Sequence, residues 1–390
     1  MEKLIYVDRR NTNCNKWDGQ YKMFGEEGLH AMWVADMDFR VPECVVEALK
    51  KYVESGVYGY YKIPDAYYQA FINWEKEHHG YEVKKEWIRF SPGVVAGFHW
   101  LVQMLTEEKD AVYYPFLDAV KNNHRRLICS DLKEQDGVYS IDFEDFERKI
   151  EENNVKLFIL CSPHNPAGRV WKKEELKRLF EICKEHQVYI ISDEIHQDLV
   201  FGEHKHIPSL SVGDYDKIMV SIVAASKTFN IAGAQNSMVI IPDEELQEKW
   251  DTHVKGNRVL GGNAFGYVAA EAAYAGGGEW LQSVLTQINE NYHYLKTELE
   301  QNLPEADTQI ERVGAIVIEA AISIILTTVN LFNLKLTLPE IIQKKCHLAV
   351  DFGDWFGGEH FGTFIRMNLA TSRENVEIGV NALIQNLMKK

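Results

Sequence analysis

Short apolar runs separated by an amphipathic segment mark the middle of the chain. Residues 156–161, 188–192 and 217–223 are almost entirely apolar, which is typical of strands buried on both faces. Between the first two runs, residues 172–186 repeat apolar side chains at the spacing of a helix. A strand, a helix and two further strands in this order predict an α/β fold with a mostly parallel, doubly wound sheet.

Both ends of the chain carry further predicted helices around this centre. Helices are predicted from Pro42 to Gly56, over 66–78, 94–105, 280–301 and 372–388, and from about 243 onwards; strands are predicted at 87–90, before 241 and at 363–368. We expect a large domain of residues 48–280 and a smaller α/β domain built from residues 1–47 and 281–390. Residues 315–332 are nearly all apolar, but Glu319 and many β-branched residues favour buried strands over a membrane-spanning helix.

Charge and cysteine content narrow the class of protein. The 390 residues carry a formal net charge of -16, whereas nucleic-acid and anionic-membrane surfaces need clustered Lys and Arg. The six cysteines are scattered without a Cys-x-x-Cys pair, and the first residues lack the apolar core of a signal peptide. We therefore expect a cytoplasmic protein that binds neither nucleic acid nor a membrane.

Polar side chains follow each of the three central strands. Asn165, Asp193 and Lys227 come after the first, second and third run, and the carboxyl ends of parallel strands meet at the ligand-binding edge of such a sheet. A lysine there is costly to bury unless it is neutral or bonded, and a desolvated amine can attack a carbonyl to form a Schiff base. A surface lysine with an exposed ammonium is the alternative; the shared edge favours a catalytic role for Lys227.

Two other patterns suggest ligands. Ser91-Pro92-Gly93 leads into a predicted helix, whose first backbone amides suit a phosphate. Acidic residues and histidines are dense after the second strand, at Asp193, Glu194, His196, Asp198, His204 and His206. A metal site there is conceivable, but the spacing gives no clear ligand geometry, so we predict no metal.

Seven motifs are specific in combination. They are Trp33-Val-Ala-Asp-Met-Asp-Phe39, Tyr58-Gly59-Tyr60, Ser91-Pro-Gly-Val-Val95, Ser162-Pro-His-Asn165-Pro-Ala-Gly168, Ser192-Asp193-Glu-Ile-His196, Ser226-Lys227-Thr-Phe-Asn230 and Phe364-Ile-Arg366-Met-Asn368. With them the chain resembles the fold-type-I pyridoxal 5'-phosphate (PLP) enzymes, and more closely the MalY/PatB group of cystathionine β-lyases. The resemblance covers most of residues 1–310 and 336–385.

The resemblance implies a role for each motif residue. Lys227 would bind PLP as a Schiff base and move the substrate's α-proton, Asp193 would pair with the pyridine nitrogen, and Asn165 would bond the 3-hydroxyl oxygen. The remaining implied cofactor contacts are the amides of Gly93, Val94 and Val95, the hydroxyl of Ser226, the ring of Tyr113, and His196. His196 stands where many aminotransferases of this fold place a tyrosine; a packed core histidine is the alternative.

The substrate contacts are also implied by the resemblance. Arg366 would bind the substrate α-carboxylate through two parallel hydrogen bonds, with Ala35 and Tyr60 nearby. Tyr60 is expected to reach the phosphate of the neighbouring subunit, which makes the enzyme a homodimer. The implied activity is β-elimination from L-cystathionine or related cysteine S-conjugates, giving a thiol, pyruvate and ammonia. A PLP-dependent aminotransferase and a weakly active PLP-binding regulatory protein remain alternatives.

The chain departs from the family pattern in two places. A few residues that normally precede Tyr113 are missing, which should shorten a core strand and could displace this tyrosine. Residues 311–335 lack the Gly-Thr-Tyr turn and the Trp-bearing strand that the family has in its small domain. Substrate preference depends partly on such segments and is left open.

Overall fold

The structure is a computed structural model of the chain. It describes residues 2–113, 117–135, 138–200, 202–259, 261–303, 306–307, 319–323, 325–326, 337–357, 362 and 364–387. The helices are Asn15–Asp18, Gln20–Phe24, Glu43–Glu54, Asp65–Trp74, Val94–Leu105, Leu117–Lys121, Phe143–Asn153, Lys173–Glu185, Ala225–Thr228, Glu244–Gly256, Ala264–Gly276, Gly278–Asn302, Leu338–Lys344, Asp354–Gly357 and Arg373–Leu387. Helix Asp65–Trp74 continues into a π-helical turn, Glu75–His79.

The strands are numbered in chain order. They are β1 (His30–Ala31), β2 (Ile88–Ser91), β3 (Ala111–Tyr113), β4 (Arg126–Ile128), β5 (Lys133–Gln135), β6 (Val138–Ser140), β7 (Val155–Cys161), β8 (Tyr189–Asp193), β9 (Met219–Val223), β10 (Ser237–Ile240), β11 (Ala306–Asp307), β12 (Glu319–Ser323), β13 (Ile325–Leu326), β14 (Leu348–Ala349), β15 (Asp351–Phe352) and β16 (Phe364–Asn368).

Seven of these strands form the central sheet, in the order β2-β10-β9-β8-β7-β3-β4. Strands β4, β3, β7, β8 and β9 run parallel to one another. β10 is antiparallel to both of its neighbours, β9 and β2, so β2 at the other end of the sheet runs in the same direction as the five parallel strands. The predicted α/β fold with a mostly parallel sheet is therefore confirmed. The predicted strands at 156–161, 188–192 and 217–223 are its centre, β7, β8 and β9.

Both faces of the sheet are covered, as the apolar strands require. Leu157 and Ile159 of β7 pack in one apolar cluster with the helix Val94–Leu105, while Phe158 and Leu160 face the opposite cluster. This alternation follows from the two-residue period of a strand. The helix Glu244–Gly256 begins at a side-chain cap, since Asp243 accepts from the backbone N–H of Leu246.

Strands from the two ends of the chain pair with each other outside the central sheet. β1 pairs in parallel with β14, and β12, β16 and β15 form a second, antiparallel sheet. The helix Gly278–Asn302 packs against the last helix, Arg373–Leu387. This pairing agrees with a smaller unit built from both termini; the boundaries at residues 48 and 281 stay a prediction.

Of residues 311–335, which depart from the family pattern, the structure describes two short strands. Residues 319–323 and 325–326 are strands β12 and β13, and β12 pairs with β16 so that Ala321 lies opposite Arg366. The rest of the run 315–332 lies outside the described residues. Within the described ranges, no helix is long and apolar enough to cross a membrane.

Candidate active site

The register of the central strands brings the predicted polar residues to one edge. Cys161 at the end of β7 lies opposite Asp193 at the end of β8, and Asp193 lies opposite Ile222 of β9. Asn165 follows β7 by four residues, and Lys227 follows β9 by four residues, in the short helix Ala225–Thr228. The edge at which a parallel sheet binds ligands therefore carries these three side chains.

Lys227 is half-buried and already held in place. Its Nζ donates a hydrogen bond to the carbonyl oxygen of Ala35 at 2.7 Å. Ala35 belongs to the segment 30–39, which passes from β1 over the lysine. The amine thus points into the space between this segment and the strand ends.

Two asparagines fix that segment. Asn230 donates from Nδ2 to the carbonyl oxygens of Met37 and Phe39, both at 3.0 Å, and accepts from the backbone N–H of Met37 at 3.1 Å. Asn368 of β16 donates to the carbonyl oxygens on either side of Ala35, those of Val34 at 2.6 Å and Asp36 at 2.9 Å. The backbone around the Ala35 carbonyl, which accepts from Lys227, is therefore held by hydrogen bonds to Asn230, three residues after Lys227, and to Asn368 of β16.

Asp193 is a buried carboxylate, 2% exposed, at the carboxyl end of β8. Burial raises the pKa of Asp193 to about 7, against the backbone N–H of Ile195 and the charge of Lys227, which both lower it. Such a carboxylate is costly to ionise unless a proton-bearing group lies beside it. A protonated ring nitrogen would supply that partner.

Asn165 joins two other predicted site residues. Its Nδ2 lies 3.3 Å from Nε2 of His196, and its Oδ1 accepts from Nη1 of Arg366 at 3.0 Å. Burial, together with the charges of Lys227 and Arg366, lowers the pKa of His196 to about 3, so its ring is neutral. Nδ1 of His196 is buried and has no hydrogen-bond partner within the described part of the chain, which leaves it available to a ligand.

Arg366 is positioned by two residues that the sequence analysis did not identify. Asp351, its cross-strand neighbour in β15, accepts from Nη2 at 2.8 Å and from Nε at 3.3 Å, and Phe356 lies beneath the guanidinium at 4.5 Å. Both bonds end on the same oxygen, Oδ2, and this shared acceptor and the aromatic face hold the planar guanidinium in one orientation. Their only signal in the sequence is an acidic and aromatic stretch before β16, which does not say which residue meets Arg366.

The start of the helix Val94–Leu105 can hold a phosphate. Gly93 precedes the helix with a φ of 113°, a conformation that residues with a side chain rarely adopt. The hydroxyl of Ser91, just before the turn, hydrogen-bonds to the hydroxyl of Ser237 at 2.7 Å and so fixes the turn. Val94 is buried while Val95 is 67% exposed, and Ser226 of the lysine helix is half-buried. The free backbone amides of this turn are typical anion ligands.

Two predicted site residues lie elsewhere. Tyr113 ends the three-residue strand β3, level with Phe158, which is three residues or roughly 10 Å before the edge at Cys161. Its ring packs edge-on against Phe146 and Phe158 at 4.8 and 5.4 Å. Because β3 is so short, the structure makes Tyr113 a core residue and does not bring it to the edge where Asp193 and Lys227 lie.

Tyr60 is fully exposed in the single chain. It follows a stretch that also exposes Val57 and Tyr58, at 75% and 52%. Tyr60 therefore does not contact the described site residues of its own chain.

Two acids after β8 pair with histidines, one from the π-helical turn Glu75–His79 and one from the stretch after β8 itself. His79 bonds to Asp198 at 2.8 Å, and His206 lies 3.3 Å from Glu194. Among the described residues, no group of three or more His, Cys, Asp or Glu side chains could hold a metal ion.

The donor set fits PLP. A lysine amine faces the site, a buried carboxylate can pair with a ring nitrogen, and the amides after Gly93 suit the phosphate. The unpartnered Nδ1 of His196 and the amide of Asn165 add neutral polar contacts. Tyr113 is the one expected cofactor residue of the same chain that this arrangement lacks.

Comparison with known proteins gives one consistent family. The chain is 44% identical over 305 residues to the cystathionine beta-lyase PatB of Bacillus subtilis (strain 168), a match that covers 76% of this chain and 79% of that protein. The PLP-bound C-S lyase from Staphylococcus hominis superposes with a TM-score of 0.90 at 34% identity, covering 99% of this chain and 97% of that one. Cystalysin from Treponema denticola, which contains PLP, superposes with a TM-score of 0.90 at 31% identity, covering 99% and 98%.

The family model for aminotransferase class I and II matches residues 33–383, nearly the whole chain. It includes every strand of the central sheet and each residue of the site described above. With a family match of this extent and a relative at 44% identity, the chain belongs to the aminotransferase class I and II family.

Proposed function

We propose that this protein is a PLP-dependent carbon–sulfur β-lyase. It cleaves L-cystathionine, or a related cysteine S-conjugate, with water to a thiol, pyruvate and ammonia. The observation that carries the proposal is the placement of the Lys227 amine at the strand edge that also holds the buried Asp193 and Asn165, which accepts from Arg366 of β16. The names of the relatives, cystathionine beta-lyase and C-S lyase, support it.

When bound, PLP supplies an electron sink for the charge that forms at the substrate's α-carbon. Lys227 holds the cofactor through its amine and then moves the α-proton. Asp193 keeps a proton on the ring nitrogen, and its buried position makes this pairing strong because the carboxylate has little competing water.

Arg366 binds the α-carboxylate. Asp351 and Asn165 occupy some of its N–H groups and fix the guanidinium plane, so the substrate enters a preset fork. Asn165 thereby links the carboxylate-binding side chain to the cofactor-binding one. Neutral His196 beside Asn165 offers a contact to the cofactor without adding positive charge.

The proposal includes a homodimer. Tyr60, Tyr58 and Val57 form an exposed, mostly apolar surface, and Val53 at 47% and Phe265 at 38% exposure extend it. An interface there buries apolar area and lets Tyr60 reach the phosphate in the partner subunit. A cytoplasmic location belongs to the same proposal, supported by six scattered cysteines with no Cys-x-x-Cys pair.

The test is release of pyruvate from L-cystathionine by purified, PLP-loaded protein with no keto acid added. We expect release with the wild type and its loss, by at least about 1000-fold, in Lys227→Ala. Lys255→Ala, which removes an exposed lysine of the helix Glu244–Gly256, is the matched control and should keep full activity.

The absence of a keto acid separates the alternatives. An aminotransferase would turn over only after a keto acid is added, and a regulatory protein would bind PLP without turnover. Either result with the wild type contradicts the lyase proposal for this substrate.

A further inference from the structure

A group of buried polar side chains includes the last residue of the helix Ala225–Thr228, which carries Lys227. We name this group the Asp198 network: Trp74, His79, Asp198 and Thr228. Asp198 Oδ1 accepts from Nε1 of Trp74 at 2.9 Å and from Nε2 of His79 at 2.8 Å. Its Oδ2 accepts from the hydroxyl of Thr228 at 2.7 Å. Thr228 is the residue that follows Lys227.

The Asp198 network is almost completely shielded from water. Thr228 is 0% and Trp74 3% exposed, and the side chains of His79 and Asp198 are 6% and 2% exposed. A buried ion pair adds little net stability compared with apolar packing of the same volume. Its position beside the catalytic lysine therefore indicates a role beyond folding.

Asp198 is a strong acceptor in this place. Burial alone would raise its pKa, but the hydrogen bond and charge of His79 and the hydroxyl of Thr228 hold the pKa below its ordinary value. Burial alone would likewise lower the pKa of His79, yet Asp198 raises it to about 9. The carboxylate therefore stays ionised, and its bond to the hydroxyl of Thr228 is a charge-assisted one.

The lysine helix needs such an anchor. Ala225–Thr228 is a four-residue helix, too short to hold its own geometry. Asn230 ties its far side to the segment 30–39, and Thr228 ties its buried side to Asp198. The short helix that carries Lys227 is thus tied to the segment 30–39 on one side and to Asp198 on the other.

A second buried carboxylate–histidine pair, Glu194 and His206, lies next to the Asp198 network. His206 lies 3.3 Å from Glu194, the residue after Asp193, and its ring meets that of His79 edge-on at 5.5 Å. Glu194 also accepts from the backbone N–H of Ser209 at 2.9 Å. One pair therefore begins at the residue after Asp193, and the other contacts the residue after Lys227.

We propose that Asp198, held by His79 and Trp74, is a positioning residue for Lys227, acting through the hydroxyl of Thr228. The proposal rests on the cofactor role of Lys227 in the proposed function. Asp198 touches neither substrate nor cofactor; it sets where the lysine amine stands.

The test compares Thr228→Val, which keeps the shape but removes the hydroxyl, with Thr228→Ser, which keeps the hydroxyl. Each variant is prepared free of PLP, and the rate at which it captures added PLP is followed by the visible absorbance of lysine-bound cofactor. We expect Thr228→Val to capture PLP about 10-fold more slowly and to lower kcat about 10-fold with KM within about twofold, because a displaced lysine slows chemistry without altering Arg366. Thr228→Ser should stay within about twofold of the wild type.

Asp198→Ala removes the acceptor of the Thr228 hydroxyl altogether. If the bond to Thr228 is the route, adding Thr228→Val to Asp198→Ala should produce no further slowing of capture. Wild-type capture and kcat in Thr228→Val, or equal defects in the Val and Ser variants, would overturn the proposal, as would additive effects in the double variant.

Capture is measured without substrate, so it decides the matter even if L-cystathionine is not cleaved. Lys227→Ala, run in parallel, should show no lysine-bound absorbance. Absorbance in that variant would overturn the cofactor role of Lys227 itself.

Discussion

At the scale of single residues, Asp193 shows how a functional group is placed at a cost to the fold. Ordinary aspartate has a pKa near 3.9, whereas burial raises the pKa of Asp193 to about 7. A raised carboxyl pKa means that the folded state prefers the protonated form. The free energy of unfolding of the PLP-free protein therefore falls as pH rises from about 4 to 7 on account of this group, by about 4 kcal/mol in total.

We predict that Asp193→Asn stabilises the PLP-free protein at pH 8 by roughly 2–4 kcal/mol, since asparagine cannot ionise and can still accept from Ile195. At pH 4 the gain should disappear. Urea unfolding at both pH values measures this. A difference that does not change with pH would contradict the assigned cause, and pyruvate release should be lost in the variant at either pH.

Arg366 gives the second prediction at this scale. Arg366→Lys removes the fork geometry, and its single ammonium cannot serve Asp351, Asn165 and a substrate carboxylate together. We expect KM for L-cystathionine to rise about 10- to 100-fold, with a smaller change in kcat. Steady-state kinetics tests it, and Arg373→Lys at the start of the last helix is the matched control. An unchanged KM would remove Arg366 from the substrate site.

At the scale of elements, the segment 30–39 is held in place by hydrogen bonds to three other parts of the chain. Its strand β1 pairs with β14, and its later residues are bonded to Asn230 and Asn368. Regular secondary structure ends at Ala31, so side-chain amides replace the missing backbone partners. This segment supplies the carbonyl that receives Lys227.

Asn230 carries the prediction for this element. It adopts a φ of 57° in addition to its three bonds to the segment, so Asn230→Ala loses the bonds and strains the backbone, while Asn230→Gly loses only the bonds. We expect the alanine variant to lose about 2–4 kcal/mol of unfolding free energy and the glycine variant about 1 kcal/mol less. Denaturant unfolding compares them; equal losses would show that the left-handed conformation is not strained.

At the scale of the whole molecule, the proposed homodimer predicts that the two subunits complete each other's sites. A dimer of two Lys227→Ala chains and a dimer of two Tyr60→Ala chains would each have impaired activity. A mixed dimer, with one chain of each kind, has one site with both native residues. Random mixing of equal amounts should restore about a quarter of wild-type activity. Pyruvate release after co-expression measures it, and no recovery would argue against the contribution of Tyr60 across an interface.

The sequence by itself determined the three central strands and the polar residues near their carboxyl ends, but not the strand β4 at one end of the sheet. The apolar runs and the helical spacing between them are local, and Asn165, Asp193 and Lys227 lie within four residues of the strand ends, so neighbouring residues suffice to place them. The shortened stretch before Tyr113 likewise predicts a short β3. Its consequence, a tyrosine packed against Phe146 and Phe158, depends on the pairing with β7, which only the folded chain sets.

Only the tertiary structure decided what orients these residues. The bond from Lys227 to Ala35 spans 192 residues of sequence, and that from Trp74 to Asp198 spans 124. Asp351 and Phe356 meet Arg366 because two strands pair and a helix follows one of them. No local pattern encodes such contacts, since periodicity reports which face of an element is buried and not which side chain, from a distant part of the chain, completes its hydrogen bonds.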